Sequence, residues 1–426
     1  MSNNTGLESA AAIKTMQQQK LKQQLSYLQQ NSPYYQRLFK ASGIDTAAIN
    51  TIEDLVQIPV TTKEDFSKHN FDFLCVPRNK VIDYTTTSGT TGSPVTVALT
   101  ENDLQRLAYN EEQSFITAGG KPTDVYQLML TLDRQFMAGM AYYLGIRKLG
   151  AAAVRVGPIS PQMQWENINR VKPNSIVAVP SFILKLIDYA EANGIDLNKS
   201  GIEKAVCIGE PVRNADLTPN TLAKRIQAKW NIQLFSTYAS TEMQTAFTEC
   251  ACGQGGHHNP ELLIVEILDD AGKQLKAGEF GEVAITSLGV EGMPLLRYRT
   301  GDICCYFDEP CACGKNTIRL SPVVGRKNQM IKYKGTTIFP PSIYDALSAV
   351  PEVKDYIVEV SKNDLGTDEI QINIALNGAL DIAEQKIKAS LQSKLRVIPA
   401  LNFVSAQHLQ SMRPAESRKP AMILFR

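Results

Sequence analysis

Leu21, Leu25 and Leu28 recur at helical spacing in a background of Gln and Lys, and this predicts an amphipathic helix within residues 10–40. Asn31-Ser32-Pro33 interrupts it, because proline disfavours the helical region for the residue before it, and the helix resumes over 34–41. From about residue 80 the texture changes. β-Branched runs at 81–86 and 95–99 flank a Ser/Thr/Gly loop, while 176–179 and 205–208 are apolar on both faces and predict buried parallel strands. Helical patterns at 180–192 and 218–230 alternate with them, as an α/β domain requires. After Glu261 the pattern turns to strands, 262–268 and 281–286 first, and the C-terminal stretch predicts strand pairs with helices at 341–350 and 382–395. The expected fold class is α/β, with a large N-terminal domain over 1–325 and a small α+β domain over 326–426.

Composition narrows the function classes. A chain of 426 residues has room for two or three domains at about 150 residues each. The 44 Lys and Arg against 43 Asp and Glu leave a net charge of +1, which supplies no bulk attraction for nucleic acid or acidic lipid. No stretch is apolar for the 18 or so residues a membrane span needs, and 1–20 lacks a basic flank with an apolar run. A cytoplasmic protein with neither nucleic acid nor membrane as partner is the expectation.

The cysteines are unevenly spread. Six of the eight fall between Cys250 and Cys313, together with His257 and His258, two of only four histidines. In a reducing compartment such a cluster indicates metal ligands or buried thiols and not disulfides. Cys250-x6-His257 and Cys311-x-Cys313 offer three thiolates and an imidazole, the set of a closed structural Zn²⁺ site. Cys252 and His258 stand as alternative ligands. Cys304 and Cys305 are expected to be buried on the strand after Asp302.

The loop Thr85-Thr86-Thr87-Ser88-Gly89-Thr90-Thr91-Gly92-Ser93-Pro94 can wrap phosphates with backbone N–H groups and hydroxyls; an ordinary polar turn is the alternative. It lacks the Gly-Lys-Ser/Thr ending of a Walker loop. Four further segments follow in order: Ile208-Gly209-Glu210-Pro211, Thr237-Tyr238-Ala239-Ser240-Thr241-Glu242, Tyr298-Arg299-Thr300-Gly301-Asp302, and Gly325-Arg326 through Lys334-Gly335. In this order they resemble the adenylate-forming enzymes. Asn31-Ser32-Pro33-Tyr34-Tyr35, Pro59-Val60-Thr61-Thr62-Lys63-Glu64-Asp65 and Ile338-Phe339-Pro340 resemble the phenylacetate–coenzyme A ligase branch. The resemblance runs from about residue 20 to the C-terminus.

The resemblance implies a two-step reaction: a carboxylate and ATP give an acyl-adenylate and pyrophosphate, then coenzyme A gives the thioester and AMP. It implies that Ser88, Gly89, Thr90, Thr91 and Gly92 hold phosphates, that Gly209, Glu210, Pro211 and Tyr238 line the adenine, that Ala239 and Ser240 also belong to the nucleotide site, and that Asp302 binds the ribose, with Arg326 a cation near it. Thr241 and Glu242 fall at the α-phosphate and at Mg²⁺, Asn328 at the hinge of a mobile C-terminal domain, and Lys419 at the C-terminal catalytic cation, with Arg418 the competing choice. The substrate implied is an aryl carboxylic acid, with Phe136 and Tyr142 as aromatic candidates for its pocket; an apolar core helix is the other reading of 133–143. Some relatives carry a Cys, a His seven on and Cys-Pro-Cys-Gly, to which Cys250, His257 and Cys311-Ala312-Cys313-Gly314 correspond. Transfer to a carrier protein in place of coenzyme A, and a non-enzymatic zinc-bearing scaffold or nucleic-acid protein, are the alternatives. A homodimer is expected from the resembled branch.

Overall fold

The computed structural model describes residues 5–87, 95–363, 368–378, 380–413 and 422–426. Ser88, Gly89, Thr90, Thr91 and Gly92 of the hydroxyl-rich loop, and Arg418 and Lys419 of the tail, lie outside the described residues. The chain separates into two compact units. One takes the residues up to Thr218 with Arg225–Val323; the other takes Pro219–Lys224 with Val324–Arg426. The short segment 219–224 joins the second unit because the Thr221 N–H donates to Asp345 Oδ1 at 3.0 Å.

In the first unit the helix Ala10–Asn31 buries Leu21, Leu25 and Leu28, and Ser32 ends it while opening Pro33–Ser42. The Ser32 Oγ accepts from the Tyr35 N–H, and Pro33 sits where its missing N–H costs nothing. A mixed sheet dominates this unit. Its described strands run Tyr306–Phe307, Arg319–Leu320, Gly256–His257, Thr245–Glu249, Gln233–Ser240, Lys204–Ile208, Ser175–Ala178, Val125–Leu128 and Ala152–Arg155. Gln233–Ser240 and the four strands beyond it are parallel, and from Gln233–Ser240 back to Tyr306–Phe307 every pairing is antiparallel. Leu263–Leu268, Gly281–Ser287 and Tyr298–Cys304 pair antiparallel beside it, burying Ile264, Val283 and Ile285.

The helix Glu101–Thr117 departs from an apolar stripe. Asp103, Arg106, Asn110, Glu111, Gln113 and Ser114 are all among its buried residues. Arg106 donates to the carbonyls of Leu288, Gln244 and Leu262, which replaces the water it lost. Glu111 faces the helix Met137–Leu149 so closely that a β-carbon at Gly145 would sit 2.2 Å from its own. Asn110 donates to Glu111 Oε1 at 2.9 Å, whereas Oε2 has no hydrogen-bond partner. Burial therefore pushes the Glu111 carboxyl up to about 8 from an ordinary value of 4.5. The folded state then keeps a proton that the unfolded chain releases, so stability is retained below about pH 4.5 and lost as pH rises towards about 8. Melting curves across this window should show a steeper decline for the parent than for Glu111→Gln; parallel profiles would refute the assignment.

The second unit is built on two long antiparallel strands, Val353–Lys362 and Asp368–Leu376. Ala400–Phe403 and Ile423–Phe425 flank them in parallel. The helices Pro340–Ser348 and Leu380–Leu395 cover one face, with Ile343, Leu347, Ile387 and Leu391 in its core. Arg413, the last described residue before 422, forms a bidentate pair with Asp355 at 2.7 and 2.8 Å.

Candidate nucleotide site and metal centre

The carboxyl ends of parallel strands are where α/β sheets present ligand-binding loops. Two sequence segments fall there on neighbouring strands, since Ile208 and Thr237 are register partners. Gly209 takes φ 72°, a conformation glycine adopts freely, and turns the chain off its strand into Glu210-Pro211. The Glu210 carboxylate accepts from both the N–H and the hydroxyl of Ser181 at 2.9 Å. It thereby caps the helix Pro180–Ala192, whose own N-cap residue Val179 provides no side-chain acceptor. Sequence reasoning assigned Glu210 to the nucleotide alone; no local signal announces a cap supplied from 29 residues away.

The next strand carries Tyr238, Ala239 and Ser240 to its end, and Thr241 and Glu242 occupy the turn into Thr245–Glu249, both half-buried. Ser240 Oγ accepts from the Met243 N–H at 3.3 Å, which tightens that turn. The Tyr238 hydroxyl donates to Asp302 Oδ2 at 2.8 Å, so residues 64 positions apart meet in one site. Burial, then the Asp302 charge, push the Tyr238 hydroxyl well above its ordinary value, so it stays a donor at any working pH. Asp302 is buried on Tyr298–Cys304, and Cys304 and Cys305 are buried after it. Arg326 and Asn328 belong to the second unit, on Gly325–Arg326 and the short 3₁₀ turn Lys327–Gln329. Tyr142 is buried in a core with Phe115 and Tyr126, its ring 6.1 Å from that of Phe115, while Phe136 is half-buried against the same cluster.

Cys250, His257, Cys311 and Cys313 come together with their ligand atoms all within 4.8 Å of one another. Cys250 Sγ lies 3.7 Å from Cys311 Sγ, and Cys313 Sγ lies 3.5 Å from His257 Nε2. Zinc bonds of about 2.3 Å to sulfur and about 2.0–2.1 Å to nitrogen give tetrahedral edges of about 3.8 and about 3.6 Å. The donor set therefore fits Zn²⁺ in chemistry and in spacing. His257 Nδ1 is 2.8 Å from Thr317 Oγ1, a partner that leaves Nε2 as the ligand atom. Burial and the nearby Lys315 and Arg319 push His257 down to about 3, so its ring is neutral. Cys252 and His258 stand outside this group; the His258 ring stacks on Phe247, with Nδ1 3.3 Å from the Ile318 carbonyl. Thr317 was invisible to sequence reasoning, although its place four residues beyond Cys313 put it within reach.

Residues 18–292 match the family model of AMP-binding enzymes. A phenylacetate-coenzyme A ligase of Thermus thermophilus is 30% identical over 383 residues, which cover 89% of this chain and 82% of the relative. The chain belongs to the AMP-binding enzymes, in the phenylacetate–coenzyme A ligase family. Another phenylacetate-coenzyme A ligase, from Escherichia coli K12, is 26% identical over 93% of this chain and 92% of its own length. Among solved structures, 2-hydroxyisobutyryl-CoA ligase in its postadenylation state superposes with a TM-score of 0.85 at 20% identity, covering 99% of this chain and 91% of that one. That likeness establishes the α/β adenylate-forming fold for this family member.

Proposed function

We propose that this chain is an AMP-forming ligase that joins an aryl carboxylic acid of the phenylacetate type to coenzyme A. The observation that carries the reading is its correspondence, along most of both chains, with phenylacetate–coenzyme A ligases. The strand-end residues are consistent with it. In the first step an oxygen of the acid attacks the α-phosphorus of ATP and pyrophosphate leaves. In the second the coenzyme A thiol attacks the acyl carbon and AMP leaves with the oxygen it gained.

Two anions must meet in that first step, so electrostatic stabilisation has to dominate the site. Gly209 and Pro211 line the adenine and Tyr238 presents a flat face to it. Asp302 accepts from the ribose hydroxyls, held in orientation by the Tyr238 hydroxyl. Thr241 donates to the α-phosphate. Glu242 offers a hard carboxylate oxygen, and Mg²⁺ bound there would neutralise phosphate charge. The roles assigned on the resemblance are phosphate binding for the loop Ser88 to Gly92 and the cation for Lys419 and Arg326. Phe136, half-buried at the edge of the core that holds Tyr142, contributes aromatic surface on the acid side. Zn²⁺ at Cys250, His257, Cys311 and Cys313 is structural, since four protein ligands leave no open position. Cysteines kept as thiols or metal ligands suit the reducing cytoplasm as its compartment.

A pyrophosphate-release screen across aryl and short aliphatic acids, with and without coenzyme A, tests the reading. Aryl acids should release pyrophosphate, and a thioester should appear by mass only when coenzyme A is present. Glu242→Gln should slow acid-dependent pyrophosphate release by roughly 10²-fold or more, the scale for losing a transition-state charge contact. A wild-type rate in that variant would remove Glu242 from the magnesium role.

A further inference from the structure

The loop that follows the adenine segment is tied to the turn that carries the metal ligands. Arg213, two residues past Pro211, donates from Nε to Glu249 Oε1 at 2.7 Å and from Nη1 to the Leu217 carbonyl at 3.2 Å. The Glu249 side chain is 2% exposed, and its other oxygen accepts from the Ser236 N–H at 3.3 Å. Glu249 directly precedes Cys250, the first of the four clustered ligands. The turn beyond also presses on Arg213: a β-carbon at Gly253 would lie 2.3 Å from Nη2, and the Gly253 N–H closes onto the Cys250 carbonyl at 3.0 Å.

A second tie runs parallel to the first. Tyr238 stacks on Phe247 with ring centroids 5.8 Å apart, and Phe247 stacks at the same distance on His258, next to His257. Phe247 and Tyr238 are cross-strand partners, and Thr248 pairs with His257 on the following strand. The ligands on the Cys250 side therefore adjoin the strand on which Tyr238 rests, while Arg213 fixes the loop that follows Gly209-Glu210-Pro211.

We propose that Arg213 is a positioning residue that couples the metal centre to the nucleotide site, so that metal loading tightens AMP binding and AMP tightens metal binding. The inference rests on the ligase and zinc readings above. Linkage makes the factor the same in both directions, and a coupling of this kind is typically about 5–150-fold. A single buried ion pair places the expected factor near the lower end, at about tenfold.

The test uses the purified full chain with its zinc. Equilibrium competition with a chromogenic chelator, with and without saturating AMP, gives the zinc affinity, and calorimetry gives the AMP affinity. AMP should raise the zinc affinity of the parent about tenfold. Arg213→Met should still bind one zinc, bind AMP about tenfold more weakly and lose the AMP effect on zinc. Glu249→Gln combined with it removes the charge left unpaired and should bind AMP no more weakly than Arg213→Met alone. Zinc affinity unchanged by AMP in a parent that binds both overturns the coupling and leaves the ligase reading standing. This arm decides the matter even if the variants do not fold. Retention of the full AMP effect in Arg213→Met overturns the assignment to Arg213. A parent that binds no zinc or no AMP overturns the underlying reading and the inference with it.

Discussion

Replacing Asp302 with alanine is expected to lower kcat/KM for ATP by roughly 10²–10⁴-fold. The carboxylate is buried and already oriented by the Tyr238 hydroxyl at 2.8 Å, and the role proposed for it is to accept from two ribose hydroxyls. Hydrogen bonds to a charged group contribute about 1.5–3 kcal/mol each, and a site built for a hydroxyl pays heavily when its partner is absent. Tyr238→Phe keeps the ring and removes only the orienting donor, so a loss of about tenfold or less is expected. A deoxyribose analogue of ATP separates ribose recognition from a general defect. It should be a poor substrate for the parent, yet fare little worse than ATP in Asp302→Ala. An equal penalty for the analogue in both proteins would mean that Asp302 does not read the ribose.

Cys311→Ser is expected to abolish zinc binding and to lower the melting temperature by roughly 5–10 °C. The four clustered atoms connect two loops that sequence alone leaves independent: one between Thr245–Glu249 and Gly256–His257, the other between Tyr306–Phe307 and Arg319–Leu320. These flanking strands are short, the pairing of Arg319–Leu320 with Gly256–His257 involving two residues on each side. The binding free energy of a metal held there would therefore become folding free energy for this edge of the sheet. At about 2–4 °C per kcal/mol in a large unit, loss of a few kcal/mol gives the shift above. The same loop holds the N-terminal segment, since the Asn316 N–H donates to the Gly6 carbonyl at 2.8 Å and Asn316 Nδ2 to that of Glu8 at 3.0 Å. Cleavage near Leu7 by an added protease should accelerate in the variant. Metal analysis of the parent checks the premise directly, and well below one zinc per chain would contradict it.

Much of the architecture was legible because its signals are local. Leu21, Leu25 and Leu28 announce a buried helix face, Ser32-Pro33 its break, and the apolar run at 205–208 a buried parallel strand. The helix Glu101–Thr117 was not legible. Its buried face carries Asp103, Arg106, Asn110 and Glu111, the first three with partners far along the chain, so no apolar period appears. At the site, the residue types and their order pointed to Tyr238 and Asp302, each in a contiguous motif, and to the separate pieces Cys250-x6-His257 and Cys311-x-Cys313, which the fold brings together. The Glu210–Ser181 cap, the Arg213–Glu249 pair and the Thr317 contact to His257 were not legible, since each joins segments with no shared sequence pattern. Tyr142 shows the limit of composition: an aromatic in a promising segment packs among Phe115 and Tyr126, and only burial distinguishes it from the half-buried Phe136.

The central claim is that an acid oxygen attacks the α-phosphorus of ATP to form an acyl-adenylate. Turnover of an aryl acid labelled with ¹⁸O in both carboxylate oxygens, with ATP and coenzyme A, tests it most directly by mass spectrometry of the products. The account predicts one ¹⁸O in each AMP formed, none in pyrophosphate, and one retained in the thioester carbonyl. Unlabelled AMP, or label appearing in a phosphate released with ADP, would contradict it.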